Sequence, residues 1–322
     1  ALKCPALGSI VARERGTDPA LPPFISIPLT DWNAGYMGDT YAPFNTNVTP
    51  KKGKPFIVRG ITIPEGVSVD RIRKRSSLLA DLNTRFRDSK NNPQLTQALA
   101  AFGRQAEAMQ LSDKTRSAFD ISRESKATHD LYGIGPEPTR GIAGGRKYGG
   151  FAEGALIARR LSERGVRVVQ LAFAPDIPWD DHTDINDHRP KAFECDRAIA
   201  ALLSDLESRG LLDETLVLWG GEFGRTIYSQ GELSKQNYGR DHHPRCFSVW
   251  MAGGGIKPGI VHGETDDFSY NIVKDPVHIS DLNATILHCL GIDHRKLSVP
   301  FQGLDVRLTG VEDRSPVKEL LV

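Results

Sequence analysis

The chain has no apolar run that approaches the roughly 18 residues a membrane-spanning helix needs, so no membrane span is expected among its 322 residues. It has almost no excess of either charge: 41 Lys and Arg stand against 40 Asp and Glu. A nucleic-acid partner would ordinarily demand a basic surface, so that class is set aside. Cysteine is scarce. Cys4, Cys195, Cys246 and Cys289 are widely spaced with no C-x-x-C. A chain this long buries enough core to need no covalent staples, so they are read as free or packed thiols rather than a disulfide framework or a zinc site. There is no initiating Met and no visible signal sequence; the first residue is Ala1. The expectation is that an upstream part was removed or that the chain belongs to a longer product.

What is present changes character near residue 150. The first part opens with a short helix near Pro5 to Arg13 and an extended apolar piece, Phe24 to Pro28. It then becomes glycine-rich and aromatic through Asn33 to Phe44, a loop that either lines a pocket or packs on its own aromatics,. From Ser68 to about Asp130, apolar residues recur at three and four spacings (Leu78, Leu79, Leu82, Phe86; Leu95, Leu99, Phe102), predicting two to four helices,. The basic cluster Arg71, Arg73, Lys74, Arg75 reads as a solvated helix face or an anion site,. Gly133 to Gly150 reads as a linker or mobile loop,.

After Gly150, helix, glycine and strand alternate. Phe151 to Arg164 carries an apolar stripe and ends at Gly165, before the β-rich run Arg167 to Phe173. Arg189 to Arg209 ends at Gly210, before the apolar run Leu216 to Trp219. Two such units predict right-handed crossovers and a mainly parallel sheet covered by helices on both faces. Strands near 167–173, 215–220 and 247–252 are expected side by side in it. A last helix, Ser280 to Leu290, has Ser280 or Asp281 as its predicted cap,.

Polar clusters follow the first two strands. After Phe173 come Asp180, Asp181, His182, Asp184, Asp187 and His188. Carboxylate and imidazole two residues apart can point at one cation from a tight turn, and mixed Asp and His donors suit Zn, Mn or related ions. An acidic hydrated loop with one capping Asp is the other reading. After Trp219 come Gly220, Gly221, Glu222, Arg225 and Thr226, and then Arg240, Asp241, His242 and His243. Each His there is either a ligand or an orienting group for a neighbour, and Arg225 and Arg240 are either anion-binding groups or ion-pair partners.

The segments TLVLWGGEFG, GRDHHPRCFSVWMAGGGIKPG and VHISDLNATILHCLGI resemble, in that order, motifs of the alkaline phosphatase and sulfatase superfamily. Closer still, WGGEFGRT, GRDHHP, MAGGGIKPG and DLNATILHCLGID resemble the sulfatase-like proteins grouped as domain of unknown function 1501. The likeness runs from PALGSIVARERG through GYMGDTYAPF to FQGLDVRLTG. It implies one alkaline-phosphatase-like domain over 1–322, a three-layer sandwich around a largely parallel central sheet, N-terminally incomplete. A helical insertion at 68–132 and a glycine-rich loop at 133–150 would decorate it.

The resemblance places Asp180 and His182 in a first metal half-site, Glu222 where a second site has Asp, and His242 or His243 as the late histidine ligand. Phe223 stands where the superfamily's D-H-G signature has its histidine, which weakens the second site. No G-G-P-S-x-x-D-T type motif precedes the opening, and Cys4 lacks the C-x-P-S-R context of a nucleophile. The implied function is a metal-dependent hydrolase of sulfate or phosphate esters, using Zn, Mn or Ca, with Arg225 or Arg240 neutralising the anion. The segment shown is expected to be a weak hydrolase by itself. The implied substrate is a small anionic ester or sulfated glycan, and the implied location is periplasmic or secreted. The alternative is a non-catalytic binder of an anionic glycan or partner protein, or a scaffold subunit assembling with another chain or with its own upstream segment.

Overall fold

A computed structural model describes residues 3–16, 18, 20–63, 65–86, 103–135, 150–173, 179–221, 223–230, 233–235 and 238–322. The chain forms two compact units, one from Ala1–His129 with Leu156–Ala172, the other from Asp130–Ala155 with Phe173–Val322. Most of the expected mobile loop Gly133 to Lys147, from residue 136 on, lies outside the described residues. No helix among those described is long and apolar enough to cross a membrane.

In chain order, helix α1 (Leu7–Arg15) buries Ile10, Val11 and Ala12, and its last turn carries Arg13 and Arg15 where cations complement the helix dipole,. Strand β1 (Phe24–Ile27) is buried at every position. It is the middle strand of a three-stranded parallel sheet, between β2 (Phe44–Asn45) and β3 (Val168–Leu171), with Ile25 opposite Phe44 on one side and Val169 on the other. Helix α2 (Val69–Phe86), a helix over 103–111 (α3) and α4 (Asp113–Phe119) follow. The start of α4 is fixed by Ser112, whose hydroxyl accepts from the Thr115 N–H at 3.2 Å,. Helices α5 (Lys126–Tyr132) and α6 (Phe151–Glu163) complete the chain's path to β3.

The second unit is built around α7 (His188–Ser208), whose inner face is Cys195, Ala198, Ala201 and Leu206. Asp205 is buried on the same helix and accepts from the Tyr132 hydroxyl at 3.1 Å and from Arg209 Nε at 2.7 Å. Strand β4 (Leu216–Trp219) comes next, then the short strands β5 (Gly224–Arg225) and β6 (His242–His243), and β7 (Trp250–Gly253). Strands β8 (Glu264–Thr265) and β9 (Ile272–Lys274) pair antiparallel, as do β10 (Ser298–Phe301) and β11 (Leu304–Arg307). Helix α8 (Ile279–Cys289) lies between these pairs in the chain. Its cap is His278, whose Nδ1 accepts from the Ser280 N–H at 3.1 Å, not Ser280 or Asp281. Asp281 instead holds the C-terminal tail through the Ser315 N–H at 3.2 Å.

The expected alkaline-phosphatase-like sandwich is overturned. Among the described residues the parallel pairing is confined to β2–β1–β3, and the remaining sheets are two-stranded and antiparallel. Strand β4 does not join β3; it pairs antiparallel with β7, Leu216 opposite Gly253 and Trp219 opposite Trp250. The helix–glycine–strand rhythm identifies strands but not their partners. The parallel partner of β3 is β1, supplied by the far N-terminal part of the chain. Burial agrees with the pairing. A strand inside a large parallel sheet is covered on both faces, whereas Leu218 and Trp219 are 45% and 40% exposed.

All four thiols are free. Cys195 sits 4% exposed on α7, and burial, with the Glu194 carboxylate adding to it, pushes its thiol up to about 12. Because the thiolate is the reactive form, native protein treated with iodoacetamide near neutral pH should be modified at exposed Cys4 and spared at Cys195. Peptide mapping reads this directly; labelling of Cys195 at the rate of Cys4 would show that α7 opens far more readily than its packing allows.

Candidate functional site

The site lies within the second unit, where two loops are brought together by glycine. The chain at Tyr238–Arg240 crosses 181–185 so closely that a Cβ on Gly239 would stand 2.0 Å from the His182 carbonyl carbon. Two backbone bonds flank the crossing, Ile185 N–H to the Tyr238 carbonyl at 2.9 Å and Arg240 N–H to the Asp181 carbonyl at 3.0 Å. In the neighbouring β5–β6 ladder, a Cβ on Gly224 would stand 1.8 Å from the Cys246 carbonyl oxygen.

That ladder decides which histidine faces the site. Arg225 is directly opposite His242, and Gly224 opposite His243. Directly opposed residues project to one face and successive residues alternate, so Arg225 and His242 point together and His243 points away. Both reach the same atom. Oδ1 of Asp180 accepts from Nε2 of His242 at 2.8 Å and from Nη1 of Arg225 at 2.5 Å, and Nε2 of His182 lies 2.9 Å from it. Asp180, His182 and His242 each offer a ligand atom within 4.8 Å of the others. His243 is buried, donates from Nε2 to the Tyr270 carbonyl at 2.6 Å and stacks on the Tyr270 ring.

Burial pushes the Asp180 carboxyl up, but hydrogen bonds from His242 and Arg225 and the charge of Arg225 outweigh it and hold it below its ordinary value. Asp180 is therefore the anion at neutral pH that a cation ligand must be. The imidazole of His182 has one orphan: Nδ1 is buried and has no hydrogen-bond partner among the described residues, and Asp241 Oδ1 lies 3.9 Å from it. A histidine that ligates through Nε2 carries its proton on Nδ1 and gives it to a carboxylate or carbonyl, and Asp241 is the carboxylate in reach. Asp241 is itself fixed by the His242 N–H at 2.7 Å. One carboxylate oxygen, two imidazoles and a waiting carboxylate behind one of them form a donor set that fits a divalent cation.

The other expected residues fall elsewhere. Arg240 bonds the Gly239 carbonyl at 2.9 Å, and its guanidinium carbon lies 5.7 Å from the centre of the Tyr238 ring. Glu222 lies outside the described residues. Phe223 packs edge-on against His242, ring centres 4.9 Å apart, and so buttresses the imidazole. Asp181 turns away from Asp180. Both of its oxygens accept from Nζ of Lys191, at 2.6 and 2.5 Å, and its Oδ2 lies 2.9 Å from Nε2 of His188. Lys191, only 2% exposed, was not singled out by sequence; a lysine three residues into α7 and ten after an Asp is an ordinary surface pattern. The pair anchors the loop that presents Asp180 and His182.

No curated protein and no solved structure matches the chain. The family described as Protein of unknown function (DUF1501) matches residues 1–321. Both loops of the cluster and both glycine crossings fall inside that span, and the chain belongs to the DUF1501 family.

Proposed function

We propose that the chain is a divalent-metal-dependent hydrolase of sulfate or phosphate esters, with Asp180, His182 and His242 as protein ligands and Arg225 as the anion-binding group. The observation that carries this reading is the convergence of two imidazole nitrogens and a guanidinium on Oδ1 of Asp180. A bound metal would polarise the ester and lower the pKa of a coordinated water. Asp180 would contribute the negative charge, Asp241, 3.9 Å from Nδ1 of His182, would accept its proton on closing that gap, and Arg225 would supply a planar fork matched to a tetrahedral oxyanion,. One oxygen with two nitrogens suits Zn or Mn; Ca takes six to eight oxygens and suits this set less. The order of WGGEFG, GRDHHP and DLNATIL supports kinship with sulfatases, and with it an extracytoplasmic location and an anionic ester or sulfated glycan as substrate.

A second reading, binding without turnover, is favoured by the nearby hydroxyls. Thr226 Oγ1 donates to the Tyr228 carbonyl at 2.7 Å and Ser229 Oγ to the His182 carbonyl at 3.4 Å, so both are engaged with backbone rather than poised as nucleophiles. The test is turnover of aryl sulfate and aryl phosphate monoesters by chelator-stripped protein after adding Zn, Mn or Ca. Metal-dependent turnover is expected, reduced by more than about 100-fold in Asp180→Ala and His182→Ala, since even outer-shell substitutions cost 10–100-fold. Turnover indifferent to both substitutions would place the active site elsewhere, and cation binding with no turnover of either ester would select the second reading.

A further inference from the structure

Three nitrogen atoms compete for one carboxylate oxygen. Nε2 of His242, Nε2 of His182 and Nη1 of Arg225 all lie within 2.9 Å of Oδ1 of Asp180, although a carboxylate oxygen has two lone pairs to give. The competitors are not equivalent. An imidazole can exchange its Nε2 proton for a lone pair by shifting tautomer, and so can share a cation with Asp180 instead of donating to it. A guanidinium has donors only and keeps its charge. Arg225 is therefore the member of the cluster that cannot join Asp180 in ligating a cation, and the one whose fixed charge opposes a cation there. Its backbone does not let it go far, because Gly224 and Arg225 are held in the ladder opposite His243 and His242.

We propose that Arg225 changes partner, from Asp180 in the resting protein to a sulfate or phosphate group in the loaded one, so that cation and oxyanion binding are positively coupled. The inference rests on the ligand set proposed above. Without an oxyanion, Arg225 opposes the cation by occupying Asp180 and by its own charge. With one, the displaced guanidinium gains a bidentate acceptor close to where it started. Coupling is reciprocal, so the cation must strengthen oxyanion binding by the factor by which the oxyanion strengthens the cation's.

The experiment is calorimetric titration of chelator-stripped full chain with Mn(II), in chloride and in sulfate at equal ionic strength so that screening is matched. Sulfate should tighten Mn(II) binding by at least about fivefold, the lower end of ordinary coupling, and saturating Mn(II) should tighten sulfate binding by the same factor. Arg225→Ala should bind Mn(II) more tightly than wild type in chloride and show no sulfate response. Equal wild-type affinity in chloride and sulfate overturns the proposal without any variant, so it stands or falls even if Arg225→Ala does not fold. Weaker Mn(II) binding by a folded Arg225→Ala also overturns it. Cation binding with no coupling removes this inference alone, whereas no cation binding by either protein, in either salt, removes the proposed ligand set with it.

Discussion

Glu124→Ala is expected to destabilise the first unit by about 3–5 kcal/mol, the cost of leaving buried charge without its partner. Glu124 faces two arginines that are almost wholly enclosed. Nη2 of Arg159 lies 2.8 Å from its Oε1 and Nη1 of Arg160 bonds the same oxygen. The two guanidinium side chains are 0% and 4% exposed. Arg159 has further help from Glu163 at 2.7 Å, and Arg160 bonds the Ala118 carbonyl at 3.2 Å and the Ser117 carbonyl at 2.5 Å. Glu163 stays with Arg159, but among the described residues Arg160 would keep only backbone carbonyls. The melting temperature should fall by roughly 4–7 °C for a chain of this size, and a variant melting within about a degree of wild type would show that the cluster contributes nothing net.

The same group gives a pH dependence of definite sign. Burial pushes the Glu124 carboxyl up, but the hydrogen bond and charge of Arg159 and the charge of Arg160 outweigh it, so in the folded chain it titrates below its ordinary 4.5. The unfolded chain then binds the proton first, and stability falls as acid is added. The contribution of Glu124 is complete above 4.5 and is lost as pH drops through the lower, folded value. Glu124→Gln should therefore show a shallower loss of melting temperature below about pH 4.5 than wild type.

Helices and strands were legible where period and punctuation agree. Helix α7 could be read from its apolar spacing up to Gly210, and the structure places it at His188–Ser208, although Phe193 of the expected stripe is exposed and the buried face is Cys195, Ala198, Ala201 and Leu206. The pairing of strands was not legible, because an apolar run of four residues carries no label for its neighbour. Leu216–Trp219 looks the same whether it continues a parallel sheet or folds back on Trp250–Gly253, and the alternation around it suggested the wrong one. In the site, the spacing Asp180-x-His182 and the pair His242-His243 were visible, but the choice between the two histidines was not. It depends on the register that sets His242 opposite Arg225, a property of a two-residue ladder that no window of sequence encodes,. Asp181 and Lys191 were missed as a pair for the same reason; ten residues apart, they meet only when the loop turns back over the first turn of α7.

Gly239→Ala should dismantle the site with little effect on the rest of the chain. The new methyl would stand 2.0 Å from the His182 carbonyl carbon, 2.1 Å from its oxygen and 2.4 Å from the Thr183 nitrogen. These are backbone atoms with no rotamer to move, and contact between such atoms is ordinarily about 3.5 Å or more. The crossing must open by over an ångström, stretching the Arg240 to Asp181 and Ile185 to Tyr238 bonds on either side of it. His182 rides on one strand of that crossing, and His242 lies two residues beyond Arg240 on the other. Their approach to a common Asp180 oxygen is therefore what the methyl destroys. A misplacement of about 1 Å costs on the order of 100-fold in rate, and overpacking of this kind costs about 1–3 kcal/mol of stability. The proposed ester turnover should fall by about two orders of magnitude and Mn(II) affinity should fall with it, while the circular dichroism spectrum stays that of wild type. Gly103→Ala is the control, because a Cβ there meets nothing within 4 Å and the residue lies in helix α3. That variant should equal wild type in cation binding and gain slightly in stability from the helix preference of alanine. A folded Gly239→Ala protein that binds Mn(II) as wild type does would mean that His182 and His242 are positioned by something other than this crossing.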